Sequence, residues 1–218
     1  MRYADDFIVT AATRETAEEA QGIIASFLDA RGLKLSQEKT VITHIDGGFD
    51  FLGWTFRKHK GKLIVKPSKK SIKALMEKLS TIILKHGKGL GQAELIICLN
   101  QVIRGWTNYH KHVVSSKVFS NVNNTIYLLL QRWAKHRHPR KSKWWRLNRY
   151  WHESNGKPWR FAIDGRWLVN LRTISIIRHP NLRLAMNPFL DSDYFTQRKA
   201  RIRPFVAARN GEEMLEPY

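Results

Sequence analysis

Asp5 and Asp6 stand side by side in Tyr3-Ala4-Asp5-Asp6, just before the apolar run Phe7-Ile8-Val9. Adjacent acids in a tight hairpin can put a carboxylate at the rim of a sheet. There Mg²⁺ keeps several waters and substrate phosphates as its other ligands. Two divalent ions held this way can activate a 3′-hydroxyl and stabilise a departing pyrophosphate, which is what nucleotidyl transfer requires. An Asp-Asp pair by itself is more commonly a solvated turn, so the surrounding elements must decide.

A second chemistry is written in cations and aromatics. Arg132 to Arg160 holds ten Lys and Arg and one acid, Glu153, interleaved with Trp133, Trp144, Trp145, Tyr150, Trp151 and Trp159. Lys and Arg contact phosphates, while indole and phenol faces accept unstacked bases. Trp106 and Trp133 fall on apolar stripes and read as core. Trp144 and Trp145, beside Lys141, Lys143 and Arg146, read equally as RNA contacts or their supports and as ordinary core residues.

The charge balance agrees. The 218 residues carry 38 Lys and Arg against 18 Asp and Glu, a net of +20. Residues 1–60 hold 8 basic and 9 acidic side chains (net −1), which leaves 30 and 9 (net +21) for residues 61–218. Such an excess implies a polyanionic partner, because neutralising phosphates releases condensed counterions. No stretch reaches about 18 apolar residues and no leader opens the chain. A membrane is therefore not an expected partner, and a cytoplasmic location is expected. Cys98 is the single cysteine; it falls in an apolar stripe and reads as core. The pairs His110/His112 and His136/His138 have i, i+2 spacing, which puts their rings on different helix faces and argues against zinc.

These groups need elements to position them. Two short strands should flank Asp5-Asp6. Thr16 and Glu19 form a capping-box pattern, followed by apolar residues at helical spacing up to Gly32. Thr40–Ile45 and Phe49–Phe56 read as strands, and Lys60-Gly61-Lys62 turns the chain back through Leu63-Ile64-Val65. Pro67-Ser68 opens a helical region with three stripes: Ile72 to Ile83, Leu95 to Tyr109 and Phe119 to Trp133. Asp164-Gly165-Arg166 joins a last hairpin. Residues 198–218 lose periodicity and read as a tail or an interrupted continuation.

Three blocks agree in order and spacing with one family. Tyr3-Ala4-Asp5-Asp6-Phe7-Ile8-Val9 resembles the signature turn of reverse transcriptases. Gly32-Leu33-Lys34-Leu35-Ser36-Gln37-Glu38-Lys39-Thr40 is similar to the G-L-x-L-S-x-E-K-T block of group II intron enzymes. Gly48-Phe49-Asp50-Phe51-Leu52-Gly53-Trp54 is similar to their G-F-x-F-L-G primer-grip segment. Further on, Ile103-Arg104-Gly105-Trp106-Thr107-Asn108-Tyr109 resembles the I-R-G-W-x-N-Y of the maturase thumb. Arg132-Trp133, Arg137-His138-Pro139 and Lys143-Trp144 fit the same domain.

The resemblance implies an α+β chain. A partial reverse-transcriptase palm of antiparallel hairpins plus a helix (1–66) would precede a helical maturase/thumb bundle (67–151). A basic aromatic hairpin extension (152–190) and a tail (191–218) would follow. It implies Asp5 and Asp6 as Mg²⁺ ligands, Lys39 near the triphosphate or pyrophosphate, and Phe51, Leu52, Gly53 and Trp54 as the primer grip. RNA contacts are expected from Arg104, Lys111, Arg132, Lys135, Arg137, Arg140, Lys141, Lys143, Trp144, Trp145, Arg146 and Arg149. The implied partners are intron RNA, an RNA/DNA primer-template, deoxynucleoside triphosphates for the intact enzyme, and a second copy or completing polypeptide.

The family also uses an aspartate upstream of its Tyr-x-Asp-Asp turn, and this sequence starts at that turn. The expectation is therefore RNA binding and splicing assistance without polymerisation by residues 1–218 alone, so enzymatic activity is left open. The alternatives are a non-catalytic maturase remnant or a decayed fragment of a mobile element.

Overall fold

The computed structural model of the chain describes residues 2–3, 5–154, 157–177, 186–187 and 189–209. It is mixed α and β. Two compact units divide it: Met1–Phe49 with Arg57–Leu63, and Asp50–Phe56 with Ile64–Tyr218.

In the first unit, β1 (Arg2–Tyr3) pairs antiparallel with β2 (Asp6–Phe7), setting Tyr3 opposite Asp6. Helix α1 (Arg14–Asp29) is capped by Thr13, whose hydroxyl accepts from the Thr16 N–H at 3.3 Å. Thr16, the cap expected from sequence, is instead an orphan first-turn donor that Thr13 satisfies. The Glu15 carboxyl is held below its usual range by its own backbone N–H and by Thr13. Gly32, at φ +71°, lets the chain leave the helix, and Leu33 N–H bonds the Leu28 carbonyl at 3.0 Å. None of the residues of α1 is fully buried.

The strand expected at Thr40–Ile45 is not formed. A β-branched run needs a ladder partner, and among the described strands none pairs with it. One bond ties its end to the 54–59 segment, from Lys58 N–H to the Ile45 carbonyl at 3.0 Å, and the rest of its described bonds are local. Thr40 Oγ1 donates to the Ser36 carbonyl at 2.8 Å, and the Gly47 and Gly48 N–H groups both bond the His44 carbonyl.

The strand expected over Phe49–Phe56 is two strands. β3 (Phe49–Phe51), β4 (Trp54–His59) and β5 (Lys62–Pro67) form a three-stranded sheet in that order. Leu52 and Gly53, at φ +47° and +77°, make the two-residue β3–β4 turn, and Lys60 and Gly61, at +48° and +77°, make the next. Turns with both φ positive match the right-handed twist of hairpin strands. For Leu52 that conformation costs about 1–2 kcal/mol.

The second unit contains the buried core. Helix α2 (Lys69–Leu84) starts at Ser68, whose Oγ accepts from Ser71 N–H at 3.1 Å. Helix α3 (Gln92–His110) starts at Gly91, whose N–H donates to Glu94 Oε2 at 2.8 Å. Helix α4 is Ser116–Arg137. Leu75, Leu79 and Ile83 of α2, Leu95, Leu99 and Ile103 of α3, and Phe119, Val122, Ile126, Leu130 and Trp133 of α4 are buried together. These are the three stripes read from the sequence. Cys98, expected in the core, is half-buried.

The basic tract holds a helix the sequence reading missed, α5 (Lys143–Tyr150), capped by Ser142. Strands β6 (Trp151–Ser154), β7 (Lys157–Ile163) and β8 (Arg166–Trp167) follow, the last two joined at Asp164-Gly165 as expected. Two amides, buried Gln92 and half-buried Asn100, lock this sheet to α3. Gln92 Nε2 donates to the Tyr150 and Ala162 carbonyls, both at 2.9 Å. Asn100 donates to the Trp167 carbonyl and accepts from Val169 N–H. Where a tail was expected over 191–218, α6 spans Ser192–Arg209; residues 210–218 lie outside the described residues. Among the described residues no helix is long and apolar enough to cross a membrane.

Candidate nucleic-acid interface

The β3–β4 turn is docked on α2 and α3. Both of its carbonyls are taken: Leu52 O accepts from Tyr109 Oη at 2.6 Å, and Gly53 O from Ser68 N–H at 2.9 Å. A Cβ on Gly53 would meet Ser71 and Tyr109 only at ordinary contact distance, 3.8–3.9 Å. Glycine is therefore needed there for its positive φ more than for space. Trp54 stacks on Tyr109, with ring centroids 4.9 Å apart and planes 19° apart.

His110 is the centre of this joint. It is 1% exposed. Trp54 Nε1–H donates to its Nδ1 at 3.0 Å, and its Nε2 lies 3.1 Å from Ser71 Oγ. An indole N–H only donates, so Nδ1 must be bare and the proton of the neutral ring sits on Nε2. Ser71 Oγ then accepts from His110 and also from Trp106 Nε1 at 3.1 Å. Burial pushes the His110 pKa down to about 4. Tyr109 remains 46% exposed beside the turn.

All four grip residues expected from sequence, Phe51, Leu52, Gly53 and Trp54, are thus brought together and half-buried. Sequence reasoning missed Ser71, Tyr109 and His110 as their supports. The available signal was the crowding of Trp106, Tyr109 and His110 at one helix end.

The expected RNA contacts divide. Arg132, Lys135, Arg140, Lys141, Lys143 and Arg149 are exposed on or beside α4 and α5, and Arg104 is exposed on α3. Trp144 is 73% exposed, and Trp145 is 38% exposed with Lys141 Nζ 5.3 Å from its ring centroid. Two arginines are committed to the fold. Arg137 Nη1 donates to the Leu90 carbonyl at 2.7 Å, with its guanidinium 5.1 Å from the Trp133 ring centroid. Arg146 donates to the Lys141 carbonyl and, at 3.4 Å, to that of His138. Lys111 is half-buried at the end of α3, where its backbone carbonyl accepts from Ile177 N–H.

Asp5 and Asp6 are exposed at the β1–β2 hairpin, and Lys39 is exposed in the 37–39 turn of the same unit. Two carboxylates are the right class of ligand for Mg²⁺. They are too few to enclose a two-ion centre. Among the described residues no group of three or more His, Cys, Asp or Glu side chains is arranged to hold a metal ion.

Comparison with known proteins finds two family models along the chain. The reverse transcriptase (RNA-dependent DNA polymerase) family model matches residues 1–56, and the model of the group II intron, maturase-specific domain matches residues 72–151. Maturase-like protein 1 of Euglena gracilis is 30% identical over 92 residues, covering 41% of this chain and 20% of the relative. The chain therefore spans a small part of that relative's length.

Proposed function

We propose that this chain, which belongs to the group II intron reverse transcriptase and maturase family, grips structured intron RNA through its helical unit and assists its splicing. One observation carries the reading. The maturase-specific match over 72–151 coincides with the solvent-facing cations of α4 and α5. Arg132, Lys135, Arg140, Lys141, Lys143 and Arg149 meet phosphates in this reading, while Trp144 offers a face to an unstacked base.

Asp5 and Asp6 are assigned as Mg²⁺ ligands of a polymerase centre to which further carboxylates must contribute. Lys39 is assigned to the triphosphate, and the 51–54 turn to the primer end. Deoxynucleoside triphosphates and primer-template are substrates of that completed centre. A completing polypeptide or a second copy would supply the missing ligands. When bound, the ion pair supplies Lewis-acid activation of the attacking hydroxyl. Nucleotidyl transfer is not assigned to residues 1–218 acting alone.

The test is fluorescence anisotropy of the full chain with a folded group II intron domain and with an unrelated RNA of equal length, from 50 to 200 mM salt. If the six exposed cations all reach phosphates, log K against log salt should fall with a slope of about −4 to −5. The intron RNA should bind tighter at every salt concentration. Equal affinity for both RNAs would reduce the protein to a generic polycation and sink the reading.

A further inference from the structure

Helix α1 has an outward face that its own unit leaves open. Ala17, Ala20, Ile24 and Leu28 are half-buried, while Ile23 and Phe27 stay 64% and 55% exposed. These two belong to a row at four-residue spacing, Glu15-Glu19-Ile23-Phe27-Arg31, and such a row shares one side of a helix. Beside it runs a second row, Gly22-Ser26-Ala30, made of small exposed residues. Nothing lies within 4 Å of a Cβ placed on Gly22, and the Ser26 hydroxyl donates back to the Gly22 carbonyl at 3.0 Å. A ridge of large side chains thus stands next to a groove of small ones.

The ridge is also ordered by charge: acidic at its start, apolar in the middle, basic at its end. Arg31, just past the helix, donates from Nη1 to the Phe27 carbonyl at 2.8 Å and holds its guanidinium 3.5 Å from the Phe27 ring centroid. None of the described ion pairs involves Glu15, Glu19 or Arg31. A row of this kind is complementary to itself when reversed. With Ile23 set against the partner's Ile23, Glu15 comes level with the partner's Arg31, and Glu19 with the partner's Phe27 and the guanidinium above it. The charge of the whole chain selects the same face. Residues 1–60 have a net charge of −1 and residues 61–218 a net of +21. Two copies that approach through their helical units meet like charge, and through α1 they do not.

We infer that α1 is a self-association face of this chain. Two copies pack α1 against α1, antiparallel, with the Ile23–Phe27 ridge of each seated in the small-residue groove of the other. A shallow crossing, of the class near about 20°, keeps both ends within reach of the long Glu and Arg side chains. One helix pair falls short of the about 1,200–2,000 Å² that a stable complex buries. The dimer is therefore weak, with a Kd of about 10–100 µM. It involves none of the cations assigned to RNA, so it stands or falls apart from the RNA-binding reading.

Sedimentation equilibrium of the nuclease-treated full chain, over concentrations that bracket this Kd, tests it. Wild type should pass from monomer to dimer. Ile23→Asp should weaken dimerisation at least about tenfold, because it sets two carboxylates face to face in an apolar contact. Arg31→Glu, and separately Glu15→Arg with Glu19→Arg, should each weaken it about tenfold through like-charge contacts. Mixed together, these two charge variants should form a heterodimer tighter than either homodimer, since every acid then meets a base. That recovery also shows that neither variant has lost its fold. Leu128→Asp on α4, at a residue 57% exposed, is the control and should leave dimerisation unchanged. A wild type that stays monomeric throughout overturns the inference and leaves the face to a different polypeptide. So does dimerisation that Ile23→Asp does not weaken, a mixture with no preference for the heterodimer, or an equal loss on Leu128→Asp, which would place the contact on the helical unit.

Discussion

Acidification should break the joint that holds the β3–β4 turn. His110 accepts an indole N–H at Nδ1, so a second ring proton would set two donors against each other inside a buried site. Its folded pKa is about 4 against an ordinary 6.5. Because the folded value is depressed, the unfolded chain binds the extra proton first as pH falls. The stability contributed by the neutral ring is whole above pH 6.5 and drains away as pH drops toward 4. About 2.5 pKa units at 1.36 kcal/mol each amount to about 3 kcal/mol. Urea unfolding at pH 7, 5.5 and 4 measures the loss, with His110→Gln as reference. That variant keeps an acceptor and a donor and has no proton to gain. Wild type should lose about 3 kcal/mol more than His110→Gln between pH 7 and 4, since the two proteins differ only at residue 110. Parallel pH curves for the two proteins would refute the buried neutral imidazole.

Gly87→Ala should destabilise by about 1–3 kcal/mol in the same urea assay, because the methyl would crowd the Ile82 carbonyl, Leu95 and Trp133 around the Trp133 Nε1–Gly87 O bond. Tyr109→Phe removes only the hydroxyl that holds the Leu52 carbonyl. It should lower stability by about 0.5–1.5 kcal/mol, and hydrogen exchange should quicken at Gly53 and Trp54 while the α4 amides are unaffected. Arg137→Gln and Arg132→Gln should behave oppositely. The first loses about 1–2 kcal/mol of stability with its Leu90 bond and Trp133 contact. The second leaves the denaturation midpoint in place and reduces the salt slope of RNA binding by about 0.7–0.9.

The three helices of the bundle were legible because their apolar residues repeat every three to four positions and bury one face each. Leu75-Leu79-Ile83 and Phe119-Val122-Ile126 carry that pattern without interruption. Strands were harder. Thr40–Ile45 has the composition of a strand but forms no described ladder, only the Lys58 N–H bond to the Ile45 carbonyl, and composition says nothing about partners. Phe49–Phe56 hid its turn because Leu52 is an uncommon residue at positive φ. The conformation is held from outside, by Tyr109 and Ser68, residues far away in sequence. Helix α5 was masked by the density of Lys and Arg in its tract, though Ser142 was a readable cap. The carboxylate turn was legible as a motif from Tyr3-Ala4-Asp5-Asp6, whereas the ligand count of a metal centre is a property of convergence in space.

The division into two units runs through the β3–β4 hairpin, and this bears on which unit governs it. Residues 50–56 belong with the helical unit, although the family block that contains them continues from the palm side. Both turn carbonyls, the Trp54 ring and the Trp54 N–H are each spoken for by α2, α3 or the residue that caps α2. A hairpin tip with its polar groups so committed cannot rearrange without opening the Ser71–Trp106–His110 cluster, which sits against the buried core through the contact of Trp106 with Phe119. The turn is therefore positioned by the same packed unit that carries the exposed cations of α4 and α5. The β3–β4 turn and the exposed cations are held by one packed core, and a change in that core, as at Gly87, should disturb both together.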